Sequence, residues 1–371
     1  MNRRWRCRDE RRSGRVYGTR RPGKDHQHLE LLIRMQQRIG YIDTAKGILI
    51  LCLLFGHCRI LAARQGLDDT VLDVMGAGIG TYRPFFMQTF FLITGFCSTF
   101  AIGFWPFLLK NLKTLILPAV LLDLLVYGIL ALAGGQTQPF GAHLAGFASW
   151  LVTGGPWFIF ALFWAKILFW CISRLPRPWQ IGLVAVLYLL GLTLNHFDWF
   201  ENYQWHRHAL LALPFLFGGY LLKGRMVQIE KYLLPAGLIG IVVIVAENLL
   251  AHFTGVILPA NDLFIDVGFA TFPLQFVNVA GGSALVLWLA RKLAGSKTIA
   301  LLGQGSLLAY LLNEPVQVLV LRLMVPLYPA GRLAGCCCFH VVSYVLCVAV
   351  TCLLIWLIYK HRGLSWIVGK F

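Results

Sequence analysis

The sequence predicts an all-α fold, namely a polytopic membrane protein of about ten transmembrane helices with both termini in the cytoplasm. Of its 371 residues, 58% are hydrophobic and only 13% are charged. A soluble fold of this length could not bury so much apolar surface. The apolar residues form successive runs of roughly 20 residues, which is the length of helix that crosses a bilayer.

The predicted spans extend over a membrane domain at residues 38–362, which a basic tail at 1–37 precedes and a short cytoplasmic tail at 363–371 follows. Pro84 and Pro106 bound the second span, and Gly281–Gly282 interrupts the eighth. Residues 64–84 are expected to form an outer loop. In chain order the spans are 44–63, 85–105, 112–133, 156–173, 180–197, 208–223, 232–252, 267–290, 299–324 and 337–359.

The placement of basic residues predicts the orientation of the chain. With a cytoplasmic N-terminus, thirteen Lys and Arg residues fall on the inner connections and the C-terminal tail, and six fall on the outer connections. Membrane proteins carry their excess of positive residues on the cytoplasmic side. The count therefore favours an even number of spans.

The basic tail holds eleven Lys and Arg residues against four Asp and Glu residues over positions 1–34. Such a segment can bind anionic lipid or nucleic acid, but we favour a disordered cytoplasmic tail and expect no nucleic-acid partner. The tail has no apolar core and is therefore not a signal peptide. Translation that starts at Met35 is an alternative.

Two basic side chains share one face of the first span. His57 follows Lys46 by eleven residues, and eleven steps of about 100° return within about 20° of the start, three turns or roughly 16 Å along the helix. Asp43 lies one turn before Lys46, and Ile50 and Leu53 fill the face between. A structural histidine and a lysine that reaches the membrane surface are the alternatives. The pair on one stripe favours a reactive site.

Five segments of the chain occur in an order that is typical of one family. The first is YIDTAKGILILCLLFGH at 41–57, with its basic residue, ten intervening residues and histidine. The others are MQTFFLITGF at 87–96, KNLKTLILPA at 110–119, GPWFIFALF at 155–163 and LLGQGSLLAYLLNEPV at 301–316. Together they resemble the membrane-bound acyltransferase-3 family, and most closely its fucose-4-O-acetylase-like branch, over residues 38–360.

The resemblance implies an O-acyltransferase, and most simply an O-acetyltransferase, of the plasma (inner) membrane. It would move an acyl group from cytoplasmic acyl-CoA to a hydroxyl of an extracytoplasmic or lipid-linked carbohydrate. The expected partners are thus the lipid bilayer, acyl-CoA and the carbohydrate acceptor. Acetyl-CoA is a co-substrate, and neither a permanently bound cofactor nor a metal is expected. The oligomeric state stays open.

The same resemblance assigns roles to individual residues. It implies that His57 is the catalytic base and that Lys46 is its basic partner in the first span, oriented by Asp43. A carboxylate that orients the imidazole would complete a catalytic dyad, and Glu314 is the candidate. Further expected site residues are Lys46, Lys110 and Lys113 for the phosphates of acyl-CoA, and Trp157, Ser306, Tyr310 and Asn313 for substrate binding.

Two positions depart from the family's motifs. Asn313 replaces the usual histidine of the Tyr-Leu-x-His-x-Pro segment, and Thr94 replaces the usual serine of the Ser-Gly-Phe segment. Both side chains keep the ability to form hydrogen bonds. They leave the details of the acceptor site open.

Two other functions are compatible with a polytopic membrane protein. One is a transporter or flippase of acyl groups or lipid-linked sugars that has no chemistry of its own, and the other is a sensory or scaffolding protein. No internal repeat is visible, which weakens the common transporter architectures. A transporter would still move its substrate when His57 is replaced, whereas an enzyme would lose acylation.

Overall fold

A computed structural model shows a bundle of helices and, within the residues that it describes, no strand. The chain divides between Ile39 and Gly40, and side chains are described from Tyr41 onward. Of the predicted basic tail, residues 1–22 lie outside the described residues, and the backbone from Gly23 onward is helical. The described ranges are 23–67, 70–132, 139–153, 156–197, 204–254, 268–329 and 331–361.

Fifteen α-helices and three helical turns lie within the described residues. In chain order they are α1 (Gly23–Arg64), α2 (Thr70–Tyr82), α3 (Phe86–Cys97), α4 (Phe104–Asn111), a π-helical turn (Leu112–Ile116), α5 (Leu117–Leu132), α6 (Phe140–Thr153), α7 (Trp157–Ile172), α8 (Arg177–His196), α9 (Gln204–Leu222), α10 (Met226–Ile229), a 3₁₀ turn (Glu230–Tyr232), α11 (Leu233–Thr254), α12 (Phe272–Lys292), α13 (Lys297–Gln304), α14 (Ser306–Met324), a second 3₁₀ turn (Val325–Leu327) and α15 (Leu333–Lys360).

The all-α class is confirmed, and seven helical segments of the described chain are long and apolar enough to cross a membrane. They correspond to the first, third, fifth, seventh, eighth, ninth and tenth predicted spans. The other three predicted spans fall on shorter or less apolar helices, α3, α7 and α9. The count of ten and the orientation of the termini therefore stay predictions. The seven segments are Tyr41–Arg64, Phe104–Ile129, Arg177–His196, Met226–Thr254, Phe272–Lys292, Ser306–Leu327 and Leu333–Lys360.

The predicted boundary between the second and third spans is wrong. Helix α3 ends at Cys97, and the next helix begins at Phe104 rather than after Pro106. Pro106 lies in the first turn of α4, where the missing N–H of proline costs no hydrogen bond. As a consequence, Lys110 and Lys113 lie within the apolar segment Phe104–Ile129 and not in a connection.

Two connections contain helices that the sequence analysis does not assign. Residues 64–84, expected to be a loop, contain α2, and the stretch between the third and fourth predicted spans contains α6. Both helices are short and carry the exposed apolar side chains Val74, Phe140 and Leu144. The length criterion of about 20 apolar residues overlooks such helices, since they are too short to cross a bilayer alone.

Glycines that were expected to interrupt a span instead allow close helix packing. Helix α12 runs through Gly281–Gly282 without a break. A β-carbon at Gly281 would meet the backbone of Gly240 in α11, and one at Gly282 would meet the ring of Phe85. Small residues that let helix backbones approach each other are typical of membrane helix interfaces.

Close backbone approach also fixes α1 beside α13. A β-carbon at Gly47 would meet the carbonyl oxygen of Ile299, and one at Gly303 would meet the carbonyl oxygen of Asp43. The turn of α1 that carries Asp43 and Lys46 is therefore held against α13 by its backbone. This contact is made by the backbone and not by the side chains of Asp43 and Lys46.

Candidate active site

One face of α1 borders two cavities within the helix bundle. Lys46 and Ile50 line the first cavity, and Leu53 and His57, further along the same face, line the second. Helical spacing places these four residues on one stripe. The stripe that carries both basic groups therefore opens into internal space along its length.

The first cavity, called here the lysine cavity, has a volume of about 320 Å³. Lys46 of α1, Lys110 of α4 and Lys166 of α7 line it, and its described lining contains no carboxylate. The Nζ atom of Lys166 lies 5.9 Å from the centre of the Phe107 ring. Lys46 also contacts Asp43 outside this lining, but three lysines around a low-dielectric cleft leave an excess of positive charge that favours an anionic ligand.

A widened turn lies at the wall of the lysine cavity. The π-helical turn Leu112–Ile116 directly follows Lys110 and Asn111, both of which line the cavity. Pro118 has no N–H to donate to the carbonyl oxygen of Thr114 one turn earlier, which explains a local widening at this position. Short π-helical turns of this kind frequently occur at functional sites.

The second cavity, called here the histidine cavity, has a volume of about 600 Å³. His57 of α1, Asp123 of α5 and Glu314 of α14 line it together with the indole ring of Trp157 and the guanidinium of Arg322. An imidazole, two carboxylates and an aromatic ring thus face a common space. This set of groups can exchange a proton and bind a neutral polar molecule.

The two cavities share a wall. Met87 of α3 and Tyr310 of α14 are the residues that line both of them. The centres of the Tyr310 and Phe158 rings lie 5.3 Å apart. The two cavities are therefore neighbours, with Met87 and Tyr310 between them.

Comparison with protein families identifies the chain. The family model of the acyltransferase-3 family, described as an acyltransferase domain, matches residues 39–360. The chain belongs to the acyltransferase-3 family. The apolar helices and this membership make it an integral-membrane acyltransferase. Neither a search of curated proteins nor a search of solved structures gave a match.

Of the three lysines predicted to bind the donor of this acyltransferase, two line the lysine cavity and one does not. Lys46 lies 3.4 Å from the Oδ1 atom of Asp43, and both side chains are half-buried. Lys46 and Lys110 line the lysine cavity. Lys113, three residues later, is exposed and lies outside that lining. The structure thus brings two of the three predicted lysines together and adds Lys166.

Glu314 shares the histidine cavity with His57 but pairs with another residue. Its Oε1 atom lies 3.5 Å from the Nη1 atom of Arg64, and both side chains are exposed. Among the described residues, no hydrogen bond joins Glu314 to His57. Glu314 and Arg64 are the charged groups that interact electrostatically with the imidazole. The carboxylate is in the same cavity as the predicted base without touching it.

The residues expected to bind substrate line one or both cavities. Ser306 lines the lysine cavity, Trp157 and Asn313 line the histidine cavity, and Tyr310 lines both. The Oδ1 atom of Asn313 accepts a hydrogen bond of 2.7 Å from Gln317, which also donates to the carbonyl oxygen of Leu54. The backbone of α1 therefore holds the Asn313 side chain in a fixed orientation.

Three charged residues of the two cavities received no role from the sequence, namely Asp123, Lys166 and Arg322. Asp123 and Lys166 had a signal, because an ionisable residue inside an apolar span is costly and points to a function. Sequence position could not show which cavity they face. Within the described residues, no cluster of three or more His, Cys, Asp or Glu side chains that could hold a metal ion occurs.

Proposed function

We propose that this acyltransferase is an O-acetyltransferase of the plasma (inner) membrane, in the fucose-4-O-acetylase-like branch of the family. It moves an acetyl group from cytoplasmic acetyl-CoA to a hydroxyl of an extracytoplasmic or lipid-linked carbohydrate. The observation that carries the proposal is that one face of α1 presents Lys46 to one cavity and His57 to the adjoining cavity. A donor and an acceptor can thus approach a common point from two sides.

The donor binds in the lysine cavity. Coenzyme A carries phosphate groups, and Lys46, Lys110 and Lys166 supply positive charge without a competing carboxylate in the lining. The remainder of that lining includes the apolar side chains of Phe90 and Leu162, which suit the neutral arm that links the phosphates to the thioester. This orientation directs the acyl group towards Met87 and Tyr310.

His57 serves as the general base in the histidine cavity. Its imidazole takes the proton of the acceptor hydroxyl as the oxygen forms a bond with the thioester carbonyl carbon. The tetrahedral intermediate then collapses, and the carbon–sulfur bond breaks. The departing thiolate of coenzyme A takes the proton back from His57. The products are an ester and a free thiol, and no redox step or additional reactant is needed.

Asn313 is the candidate donor for the oxyanion of the tetrahedral intermediate. Gln317 occupies the amide oxygen of Asn313, so the amide NH₂ group is the part of this side chain that remains to donate in the histidine cavity. Removal of one such donor in other enzymes costs about 10²- to 10³-fold in turnover. Trp157 offers an aromatic face for a sugar ring in the same cavity.

The first test replaces His57 by Ala in the full chain. In membrane vesicles that receive acetyl-CoA, we expect transfer to glycan to fall by about 10²- to 10⁴-fold, because the general base is lost. Mass spectrometry of glycan esters in cells measures the same loss in vivo. The matched control is His252→Ala, because His252 is exposed on α11 and lines neither cavity.

Two outcomes would overturn this assignment. Normal acetylation by His57→Ala at equal protein level would show that His57 is not the base. Absence of any acylated product from the wild-type protein, together with movement of a sugar or acyl group across the vesicle membrane, would support the transporter function instead.

A further inference from the structure

Asp123 lies at a position where a carboxylate is unexpected. It belongs to α5, within the apolar segment Phe104–Ile129. It lines the histidine cavity on the same helix face as Ala119, Leu122 and Val126. An ionisable group in an apolar span is costly, and such groups pair with one another or serve a function. The mechanism described above does not use Asp123.

A histidine from another helix holds this carboxylate. The Nε2 atom of His143 in α6 lies 2.9 Å from the Oδ2 atom of Asp123. The His143 ring stacks on Tyr127, one turn after Asp123, with ring centres 4.1 Å apart and an angle of 26° between the rings. Two independent contacts therefore orient His143, and His143 in turn orients Asp123.

The hydrogen bond to His143 occupies only part of the hydrogen-bonding capacity of Asp123. A carboxylate has two oxygen atoms and about four acceptor positions, and His143 uses the Oδ2 atom alone. A contact that only fastened two helices would not need to border a cavity. The ion pair of Glu230 with Arg291, for comparison, lines neither the lysine cavity nor the histidine cavity.

The groups around Asp123 suit a molecule with several hydroxyl groups. The same cavity presents the Trp157 ring, the amide of Asn313 and the His57 imidazole from three other helices. A sugar ring that places one hydroxyl at His57 has further hydroxyls that need hydrogen-bond acceptors. A carboxylate accepts such bonds more strongly than a neutral group does.

We infer that Asp123 binds the acceptor through a hydroxyl other than the one that is acylated, and that His143 is the positioning residue that fixes the Asp123 carboxylate. The ligand class is a neutral, polyhydroxylated acceptor. This inference rests on the proposed function, because it names residues that recognise the acceptor of that reaction. It adds a specificity determinant on α5, in the same cavity as His57 of α1.

The experiment measures steady-state kinetics of the detergent-solubilised full chain with acetyl-CoA and a set of methyl glycosides of common hexoses. Release of the coenzyme A thiol reports turnover. For Asp123→Asn we expect the KM for the glycoside to rise by about 10- to 100-fold, since a hydrogen bond to a charged group is lost. The KM for acetyl-CoA should change by less than about twofold, because Asp123 does not line the lysine cavity.

Monodeoxy analogues of the accepted glycoside identify the hydroxyl. For one analogue, the KM of the wild-type protein should rise by about the same factor as the KM of Asp123→Asn rises for the parent glycoside. With that analogue, the Asp123→Asn substitution should cause no additional rise in KM, because both changes remove the same hydrogen bond. If Asp123→Asn raised the KM for the analogue as much as it raises the KM for the parent glycoside, Asp123 would not contact that hydroxyl.

The positioning role of His143 has its own variants. His143→Phe keeps a ring that can stack on Tyr127 but loses the hydrogen bond, so we expect a smaller rise in the glycoside KM. His143→Gln keeps a donor and should restore much of the affinity. A pair that only joins α5 to α6 would instead lower the melting temperature in both variants without a selective change in the glycoside KM. Glu230→Gln breaks an ion pair outside the two cavities and is the matched control.

Failure of this inference differs from failure of the proposed function. If the wild-type protein acetylates a glycoside and Asp123→Asn has an unchanged glycoside KM, the inference is wrong and the function stands. If none of the glycosides in the set makes the wild-type protein release thiol, the assignment of a carbohydrate acceptor is wrong, and the role of Asp123 is rejected with it.

Discussion

The lysine cavity and the histidine cavity share a wall but differ in their charges. Three ammonium groups and no carboxylate face the described lining of the lysine cavity. Two carboxylates, an imidazole and one guanidinium face the larger histidine cavity. The first suits a polyanion and the second suits a neutral molecule with hydroxyl groups. In the proposed function, this difference divides the recognition of the two substrates between the ends of one helix face.

Helices α1 and α14 contribute to both cavities in the same direction. Along α1, Lys46 precedes His57, and along α14, Ser306 precedes Asn313 and Glu314. The two helices therefore run from the lysine cavity towards the histidine cavity. Tyr310 of α14 and Met87 of α3 lie where the linings meet. In the proposed reaction, the acyl group passes at these two side chains.

Reversal of a charge in the lysine cavity should give the largest difference between the KM values for the two substrates. For Lys110→Glu we expect the KM for acetyl-CoA to rise by about 10- to 100-fold, because a charge-assisted contact with phosphate is lost. The KM for the acceptor should not change. Steady-state kinetics with each substrate varied in turn measures both values.

Lys113→Glu is the matched control for that variant. Lys113 lies three residues further along the same helical segment and carries the same charge, but it is exposed and lies outside the cavity lining. We expect its acetyl-CoA KM to stay within about threefold of the wild-type value, as for other exposed charges. Equal effects at both positions would contradict a donor site in the lysine cavity.

A smaller effect should arise at the shared wall. Met87→Trp adds volume between the cavities, and we expect turnover to fall by about tenfold while the affinity for coenzyme A, measured by titration calorimetry, stays constant. Overpacking of a core costs about 1–3 kcal/mol, so the melting temperature is measured in parallel. Met87→Leu conserves volume and serves as the control. Unchanged turnover in Met87→Trp would mean that the acyl group does not cross this wall.

The smallest effect on turnover should come from the packing of α3, which contributes to both cavities. A β-carbon at Gly219 of α9 would meet the carbonyl oxygen of Leu92 in α3, whereas one at Gly218 would meet no atom within 4 Å. We expect Gly219→Ala to lower the melting temperature by several degrees, in line with an overpacking cost of about 1–3 kcal/mol.

Gly218→Ala provides the comparison at the neighbouring position. Alanine is a better helix former than glycine by up to about 1 kcal/mol, so this variant should be as stable as the wild-type protein or slightly more stable. Turnover per folded molecule should stay within about twofold in both variants. A strong loss of turnover in Gly219→Ala at unchanged stability would show that α3 moves during catalysis.

Individual residues show why the sequence predicted part of the site. The stripe from Lys46 to His57 was predictable because the helical period alone determines which residues of one helix share a face. The helix boundary near Pro106 was not, because proline both ends helices and begins them. Asp123 and Lys166 were visible as charges inside apolar segments, but their cavities depend on helices far apart in the chain. The helix that carries His143 was too short for a criterion based on spanning length.

Composition, the length of the apolar runs and the spacing of Lys46 and His57 by themselves determined an all-α membrane protein with two basic residues on one helix face. These are local properties, set by the period of the α-helix and by the cost of apolar surface in water. Only the tertiary structure decided that this face borders two cavities and that Lys166 and Asp123 belong to different ones. It also separated Lys110 from Lys113. Such pairings depend on how glycine contacts bring distant helices together, and that information is not present in any single helix.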